Sequence, residues 1–588
     1  MELNWNLDDL YLGFDETYQN DLKKLDKLVK DSIKHLETKE KDDVLYIEGE
    51  LKYSEEITKL GRTLGSFASL KASTDVTNNE ALGYLSKLSE IYRQKTAATV
   101  KFERYLTEVN LDQLAQKSEL IKLYLYNLKK DQEHAKHLLS ESEEVLYAKL
   151  SELSSRSWTQ VQTLATANLM IDIDGKEHTF SDVRNYAYDK DQAFRKKAYE
   201  AELKAYEKVD DFVALALTNI KREVNTMNQI RGYHSALEKT LDQSNMRKET
   251  LDAMIEAMMD YRPHFANYLK AKATYFGHEK GLPWYDMFAP VGSLNKTYTY
   301  DEAKDLVFNA FNSFSPKLGG FAKKSFDLNW IDVYPKKGKR GGAFCSNQPQ
   351  IGQSRILLNF TGALDNVSTL AHELGHGYHG DIIKANAPLH WSYPMPLAET
   401  ASIFCEAIMN DYLLKEVKDP NEKLSLLEMG LQGDTQVIID ILSRFMFESK
   451  VFESANRPIS KHEMKKWMLD AQKEAYLDGL DHDNLHPYMW LVKGHYYSAG
   501  LNYYNFPYAF GLLFGKGLYA QYLKNKESFL QKYDDLLALT TKADAEEVAK
   551  SMGIDITSKA FWIDSLEMIK KDIDEVIRLF NEKKVNML

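Results

Sequence analysis

The sequence predicts a mainly α-helical fold with a small β component. Three observations carry that prediction. Glycine and proline number only 29 and 13 in 588 residues, so little interrupts long helices. Leu22, Leu25, Val29, Ile33 and Leu36 recur at three- and four-residue spacing, the apolar stripe of an amphipathic helix, and similar stripes fill the first 165 residues. Two stretches read as β structure, and both are short.

The first β signal is Leu169-Met170-Ile171-Asp172-Ile173, then Asp174-Gly175, then Lys176 to Phe180. Asp-Gly between two short runs is a hairpin turn, and Ser181 reads as the N-cap of the next helix. A boundary near this point gives an N-terminal helical domain over 1–185, with its hairpin near 169–180, and a second domain over 186–588. A helical block continues to about Phe276. The second β region runs from Trp330 to Phe360, with the glycine-rich Gly338-Lys339-Arg340-Gly341-Gly342-Ala343 and the strand-like Arg355 to Phe360. After it the chain is helical again.

Charge and cysteine content exclude several classes. The net charge of -12 argues against a general nucleic-acid binder. Two cysteines, Cys345 and Cys405, make no disulfide framework and fit a reducing compartment. The start, Met1-Glu2-Leu3-Asn4-Trp5-Asn6, lacks the basic and apolar runs of a secretory signal. No stretch reaches the roughly 18 apolar residues of a membrane helix. The expectation is a cytoplasmic enzyme without a membrane or nucleic-acid partner, acting as a monomer or small homo-oligomer.

The sharpest chemical signal is His372-Glu373-Leu374-Gly375-His376. Histidines four apart share one helix face, so both imidazoles reach a single zinc ion. Glu373, about 100° round from His372, lies beside the metal and can take a proton from a water it activates. Asp365 or Asn366 caps the helix start, while Val367, Leu370 and Leu374 form the packing face. A catalytic zinc needs a third protein ligand. A third histidine ten residues after the first is excluded, because Ile382 stands there. His379 lies about 10 Å along the helix from His372 and reads as a residue just outside the ligand set or on the substrate side. Pro394 and Pro396 announce a helix that carries Glu399 and Glu406, seven apart and on one face. We read Glu399 as the third ligand. Glu406 is the competing carboxylate and otherwise the acceptor that orients a ligand histidine, and Asp365 joins it and His379 around the ligands. Cys405 reads as a small buried residue.

Five tyrosines fall within residues 496–508, following His495. Most suit an aromatic packing cluster, but hydroxyl and imidazole donors also suit an oxyanion formed when water attacks an amide.

These residues resemble a known family. Thr361 to Glu406 is similar to the zinc oligopeptidases of the thimet oligopeptidase type, and especially to their bacterial branch, oligoendopeptidase F. The likeness is carried by Leu364-Asp365-Asn366-Val367-Ser368-Thr369-Leu370-Ala371-His372-Glu373-Leu374-Gly375-His376-Gly377-Tyr378-His379, by Pro396-Leu397-Ala398-Glu399-Thr400-Ala401-Ser402 and by the run from His495 to Gly511. The resemblance implies one zinc ion held by His372, His376 and Glu399, with Glu373 as general base. It implies His495 and Tyr504 facing the oxyanion or substrate backbone, with Tyr508 a further candidate. Gly341, Gly342 and Ala343 resemble a substrate-binding edge strand that pairs with an extended peptide, and Tyr497 and Tyr503 are added as substrate-binding candidates. The chain departs from the branch at Phe506-Pro507, where a tyrosine and a glutamine are usual. The implied fold is an elongated multi-helix body split by a deep substrate channel, with a small sheet beside the zinc helix.

The function expected is therefore a zinc-dependent endopeptidase cutting internal bonds of short unstructured oligopeptides, its chemistry carried by 186–588. Two rivals stand beside it. A zinc carboxypeptidase would need a cation for the terminal carboxylate, for which Arg340 or Lys493 is available. A non-catalytic helical peptide-binding protein would keep a structural metal site, but such sites are usually closed by four Cys or His ligands.

Overall fold

The computed structural model describes residues 3–292 and 297–587, so Met1 and Glu2 of the N-terminal run lie outside it. The chain is mainly α, and its described strands form one two-stranded and one three-stranded sheet. It divides into two compact units, each assembled from three stretches of sequence. One takes 1–141, 296–412 and 522–553; the other takes 142–295, 413–521 and 554–588. No helix among the described residues is long and apolar enough to cross a membrane.

In the first unit, helices α1 (Glu16–Glu37), α2 (Asp43–Thr74) and α3 (Asn79–Leu106) begin at side-chain caps from Asp15, Asp42 and Asn78. The predicted stripe points inward: Leu22, Leu25 and Val29 bury against Ile57, Leu64 and Phe67 of α2 and Leu88 and Ile91 of α3. Each such side chain contributes about 1.5–3 kcal/mol. The sheet of this unit has the order β3 (Ile331–Asp332), β5 (Gln353–Leu357), β4 (Phe344–Gln348). β3 runs parallel to β5 and β4 antiparallel to it, in the register Phe344↔Leu357 to Gln348↔Gln353. β4 is thus an edge strand.

In the second unit, β1 (Met170–Ile173) and β2 (Lys176–Thr179) form the expected hairpin. Asp174 and Gly175 take φ of 55° and 78°, the positive pair that a two-residue primed turn requires. The next helix, Phe180–Asn185, is capped by Thr179 rather than Ser181. The reason is a capping box: the Thr179 hydroxyl accepts from the Asp182 amide (3.2 Å) and the Asp182 carboxylate accepts from the Thr179 amide (3.3 Å). Buried charges here are paired, as in Lys221 with Glu448 (2.8 Å) and Arg195 with Asp286 (2.8 Å).

Candidate metal centre

The His-Glu-Leu-Gly-His motif lies on a 20-residue helix, Leu364–Ile383. Neither Asp365 nor Asn366 caps it. The N-cap is Ala363 in extended conformation, without a side-chain bond. Asn366, already inside the first turn, instead accepts from the Thr361 amide (2.7 Å) and hydroxyl (3.0 Å), tying down the incoming loop. Asp365 is exposed and accepts from the Asn366 amide at 3.1 Å. Val367, Leu370 and Leu374 are fully buried, so the opposite face carries the histidines.

Three ligand atoms converge. His372 Nε2 and His376 Nε2 are 3.1 Å apart, and each is 3.3 Å from Glu399 Oε2. A tetrahedral zinc with bonds of about 2.0–2.1 Å sets its ligands about 3.3–3.4 Å apart, so this triangle is one face of such a tetrahedron. The other ring nitrogen, His372 Nδ1, lies 3.1 Å from Glu406 Oε1. An Nδ1–H donated there leaves the Nε2 lone pair for a metal. Glu399 and Glu406 thus address opposite nitrogens of one imidazole. A kink makes this possible: Glu399 closes the short Met395–Ala398 helix, and Glu406 lies inside the next, Thr400–Glu416.

The electrostatics follow the geometry. Burial disfavours a charged His372, but the Glu406 hydrogen bond and the charges of Glu406, Glu399 and Glu373 outweigh it, lifting the metal-free imidazole to about 9. Burial likewise opposes an ionised Glu399, yet the His376 hydrogen bond, both histidine charges and Ser402 hold it down at about 2. Glu373 goes the other way. Burial raises its carboxyl above the ordinary range, the two histidines pull it back, and Glu399 and Glu406 push it further up. It is 5% exposed, and its Oε2 has no hydrogen-bond partner among the described residues. A buried acceptor next to two ligand histidines is suited to receiving a proton.

Two supporting residues escaped the sequence reading. Ser402 donates to Glu399 Oε2 at 2.6 Å, and its i+3 spacing was a usable signal. Asn347 of β4 donates to the His376 carbonyl at 3.0 Å and accepts from Ser354 at 2.8 Å; nothing local announces it. Gly375 lets the two ligand-bearing segments meet, because a Cβ there would stand 2.7 Å from the Ala401 carbonyl oxygen. Cys405 is buried, and burial pushes its thiol up.

His379 lies in the interior. Its ring is fully buried, stacked on Tyr393 (4.2 Å, 8°), with Nε2 on the Thr540 hydroxyl at 2.8 Å. Two helical turns beyond His372, it has entered the interior. Gly341, Gly342 and Ala343 also differ from expectation, since they precede β4 rather than form it. Gly342 has φ +79°, outside the extended range, and its carbonyl accepts from Asn359 at 2.8 Å. The open edge belongs to Phe344–Gln348.

In the second unit, His495 sits in a 3₁₀ turn, Gly494–Tyr497. Its Nε2 meets Asn505 Nδ2 at 2.9 Å, and Asn505 Oδ1 accepts from Arg444 at 3.3 Å. Arg444 thereby orients the amide, which makes Nε2 the acceptor and leaves the proton on Nδ1. Burial, then Arg444, Lys493 and Lys221, lower His495 to about 3, so it is neutral at physiological pH. Tyr504 stacks on His495 (5.4 Å, 27°), and its hydroxyl meets that of the part-exposed Tyr508 at 2.7 Å. Tyr497 and Tyr503 are instead packing residues. Tyr497 is fully buried with its hydroxyl on the Trp490 carbonyl (3.1 Å), and Tyr503 is held by Phe445 and Phe452. Phe506 and Pro507 open the helix Phe506–Lys524.

The chain is similar to known peptidases. Residues 185–568 match the family described as peptidase family M3, and residues 106–170 match the one described as oligopeptidase F. The chain is 26% identical over 597 residues to oligopeptidase PepF of Bacillus subtilis, covering 99% of this chain and 88% of that one. It is 27% identical over 534 residues to an oligoendopeptidase F homolog of Lactococcus lactis, covering 89% and 88%. The structure of oligoendopeptidase-F from Enterococcus faecium shares the fold with a TM-score of 0.70 at 20% identity, covering 97% and 99% of the two chains.

Proposed function

This chain belongs to peptidase family M3, in its oligoendopeptidase F branch, and from that membership we propose that it is a zinc-dependent endopeptidase cutting internal bonds of short unstructured oligopeptides. The observation that carries the reading is the triangle of His372, His376 and Glu399 with the buried Glu373 next in the helix, its Oε2 without a hydrogen-bond partner among the described residues. His372, His376 and Glu399 would hold one zinc ion, with Glu406 orienting His372 and Ser402 orienting Glu399. Zinc, when bound there, polarises the scissile carbonyl and makes water nucleophilic near neutral pH.

The rest of the proposed mechanism lies in the chain. Glu373 accepts the proton that the attacking water gives up and returns it to the leaving amine as the C–N bond breaks. The raised affinity of its carboxyl for a proton suits both steps. From the likeness of the run His495 to Gly511 to the family alone, His495 and Tyr504 are proposed as neutral oxyanion donors, with Tyr508 a further candidate whose hydroxyl meets that of Tyr504. Support comes from the His495 tautomer, whose Nδ1–H is left to donate. The enzyme is assigned to the cytoplasm, where its two unpaired cysteines persist.

The test is mass spectrometry of products from peptides of graded length, with and without a chelator. Internal cuts in short peptides, abolished by chelation and restored by zinc, are expected. Products shortened one C-terminal residue at a time would replace this reading with a carboxypeptidase, and zinc-loaded protein that cuts nothing would replace it with a binding protein.

A further inference from the structure

Lys493 is a cation without a counter-charge of its own. It is part-exposed and forms the N-cap of the 3₁₀ turn that carries His495. Lys221 and Lys272, fully buried in the same unit, are paired with Glu448 (2.8 Å) and Glu428 (2.5 Å). Lys493 forms no ion pair and no side-chain hydrogen bond among the described residues. Its nearest charges are Arg444 and Arg184, with Asp440 and Glu202 offsetting them in part. Both carboxylates are already engaged: Asp440 accepts from Arg444, and Glu202 lies 3.5 Å from Arg184. Three cationic side chains thus face two carboxylates, and the surplus charge falls on Lys493. Burial, then the two guanidinium groups, bring its amine down to about 7. An anion arriving there gains a charge-assisted hydrogen bond and draws the amine back to its protonated form.

The surroundings leave room for one. Gly494 is exposed, and a Cβ on it would meet nothing within 4 Å. Lys493 precedes His495 by two residues, so their Cα atoms are at most about 7 Å apart. Its charge is one of those that keep His495 neutral. On the endopeptidase reading, His495 faces the carbonyl of the scissile bond. An extended peptide advances about 3.3 Å per residue, so a group meeting Lys493 lies about two or three residues from that bond. The anionic groups of an unmodified peptide are carboxylates. We propose that Lys493 is the receptor for a carboxylate of the substrate, carried by its C-terminus or by an acidic side chain, about two or three residues from the bond that is cut. The inference rests on the proposed endopeptidase reading.

The test compares one short peptide as the free acid and as the C-terminal amide, and amidated peptides with Glu or Gln near the cut, with products mapped by mass spectrometry. For wild-type protein, the version that presents the carboxylate is cut with a kcat/KM about 10- to 100-fold higher, the usual worth of a hydrogen bond between charged groups. An advantage of acid over amide assigns the C-terminus, and the cut then keeps its distance from that end when the peptide is lengthened at the other. An advantage of Glu over Gln assigns a side chain. Lys493→Met removes the advantage, and Lys493→Arg, which keeps the charge, retains part of it; a lysine with a merely structural role would slow all four peptides alike. Equal cleavage of all four by the wild-type protein, or an advantage that survives Lys493→Met, overturns the receptor and leaves the endopeptidase standing. The wild-type comparison needs no variant, so it decides the matter even where Lys493→Met does not fold. Failure to cut any peptide overturns the endopeptidase reading and the receptor with it.

Discussion

Replacing Glu373 with Gln removes one ionisable group and almost no volume. Glu373 is not among the three ligand atoms, which come from His372, His376 and Glu399. The variant is therefore expected to bind zinc with wild-type stoichiometry. A lost general base typically costs about 10²- to 10⁴-fold in rate, which is about 2.7–5.5 kcal/mol of barrier at about 1.36 kcal/mol per decade. The loss falls on kcat and leaves KM nearly unchanged, because the proton moves only in the transition state. A second consequence concerns stability. Burial raises the Glu373 carboxyl in the folded metal-free protein, so its ionised form opposes folding at neutral pH. That penalty is present above the folded pKa and vanishes as pH falls below the unfolded value. Metal-free Glu373→Gln should therefore melt at or above the wild-type temperature at pH 7, the difference closing toward pH 4. The assay is a steady-state peptide cleavage series with metal analysis, beside melting curves at the two pH values. Turnover within tenfold of wild type refutes the base assignment, and loss of zinc shows that Glu373 is a ligand.

Other expectations follow from the same geometry. Glu399→Ala should abolish tight zinc binding, whereas Glu406→Gln should weaken it about 10- to 100-fold, the usual cost of losing an orienting partner; full zinc in the first variant and none in the second would exchange their roles. Because metal-free His372 sits at about 9, zinc uptake at pH 7 should release its proton, and apparent affinity should rise tenfold per pH unit up to about pH 9. Calorimetry in buffers of different ionisation heat reads that proton directly, and a buffer-independent heat contradicts it. Asn505→Asp should turn His495 over: a carboxylate would accept from Nε2–H and raise the imidazole pKa. The expected outcome is a loss of kcat with a new ionisation in its pH profile, and an unchanged profile would remove Asn505 as a positioning residue.

The local features were legible. The stripe through Leu25 and Val29 is buried in α1, and the Asp174-Gly175 turn is a hairpin. His372 and His376 meet because a helix permits nothing else at that spacing, and Ser402 could have been found the same way from Glu399. Errors of one or two residues came from competition between neighbouring caps. Thr179 outcompeted Ser181 because Asp182 bonds back to it, and Ala363 precedes Asp365 and Asn366 at the motif helix. The glycines before β4 read as strand because small residues suit an edge, yet Gly342 turns with positive φ.

Residue order alone sets the helical class and the placing of His372, Glu373 and His376 on one turn of helix, since these depend on a rise of about 1.5 Å per residue and little else. Folding decided the rest. Which oxygen of which glutamate meets which imidazole nitrogen, that Asn347 holds the His376 carbonyl, that Arg444 orients Asn505 against His495, and that Tyr497 packs while Tyr508 stays part-exposed all depend on residues brought together from distant stretches. Each unit is built from three such stretches. Their meeting is determined by many small burial terms summed over the whole chain, which no local spacing records.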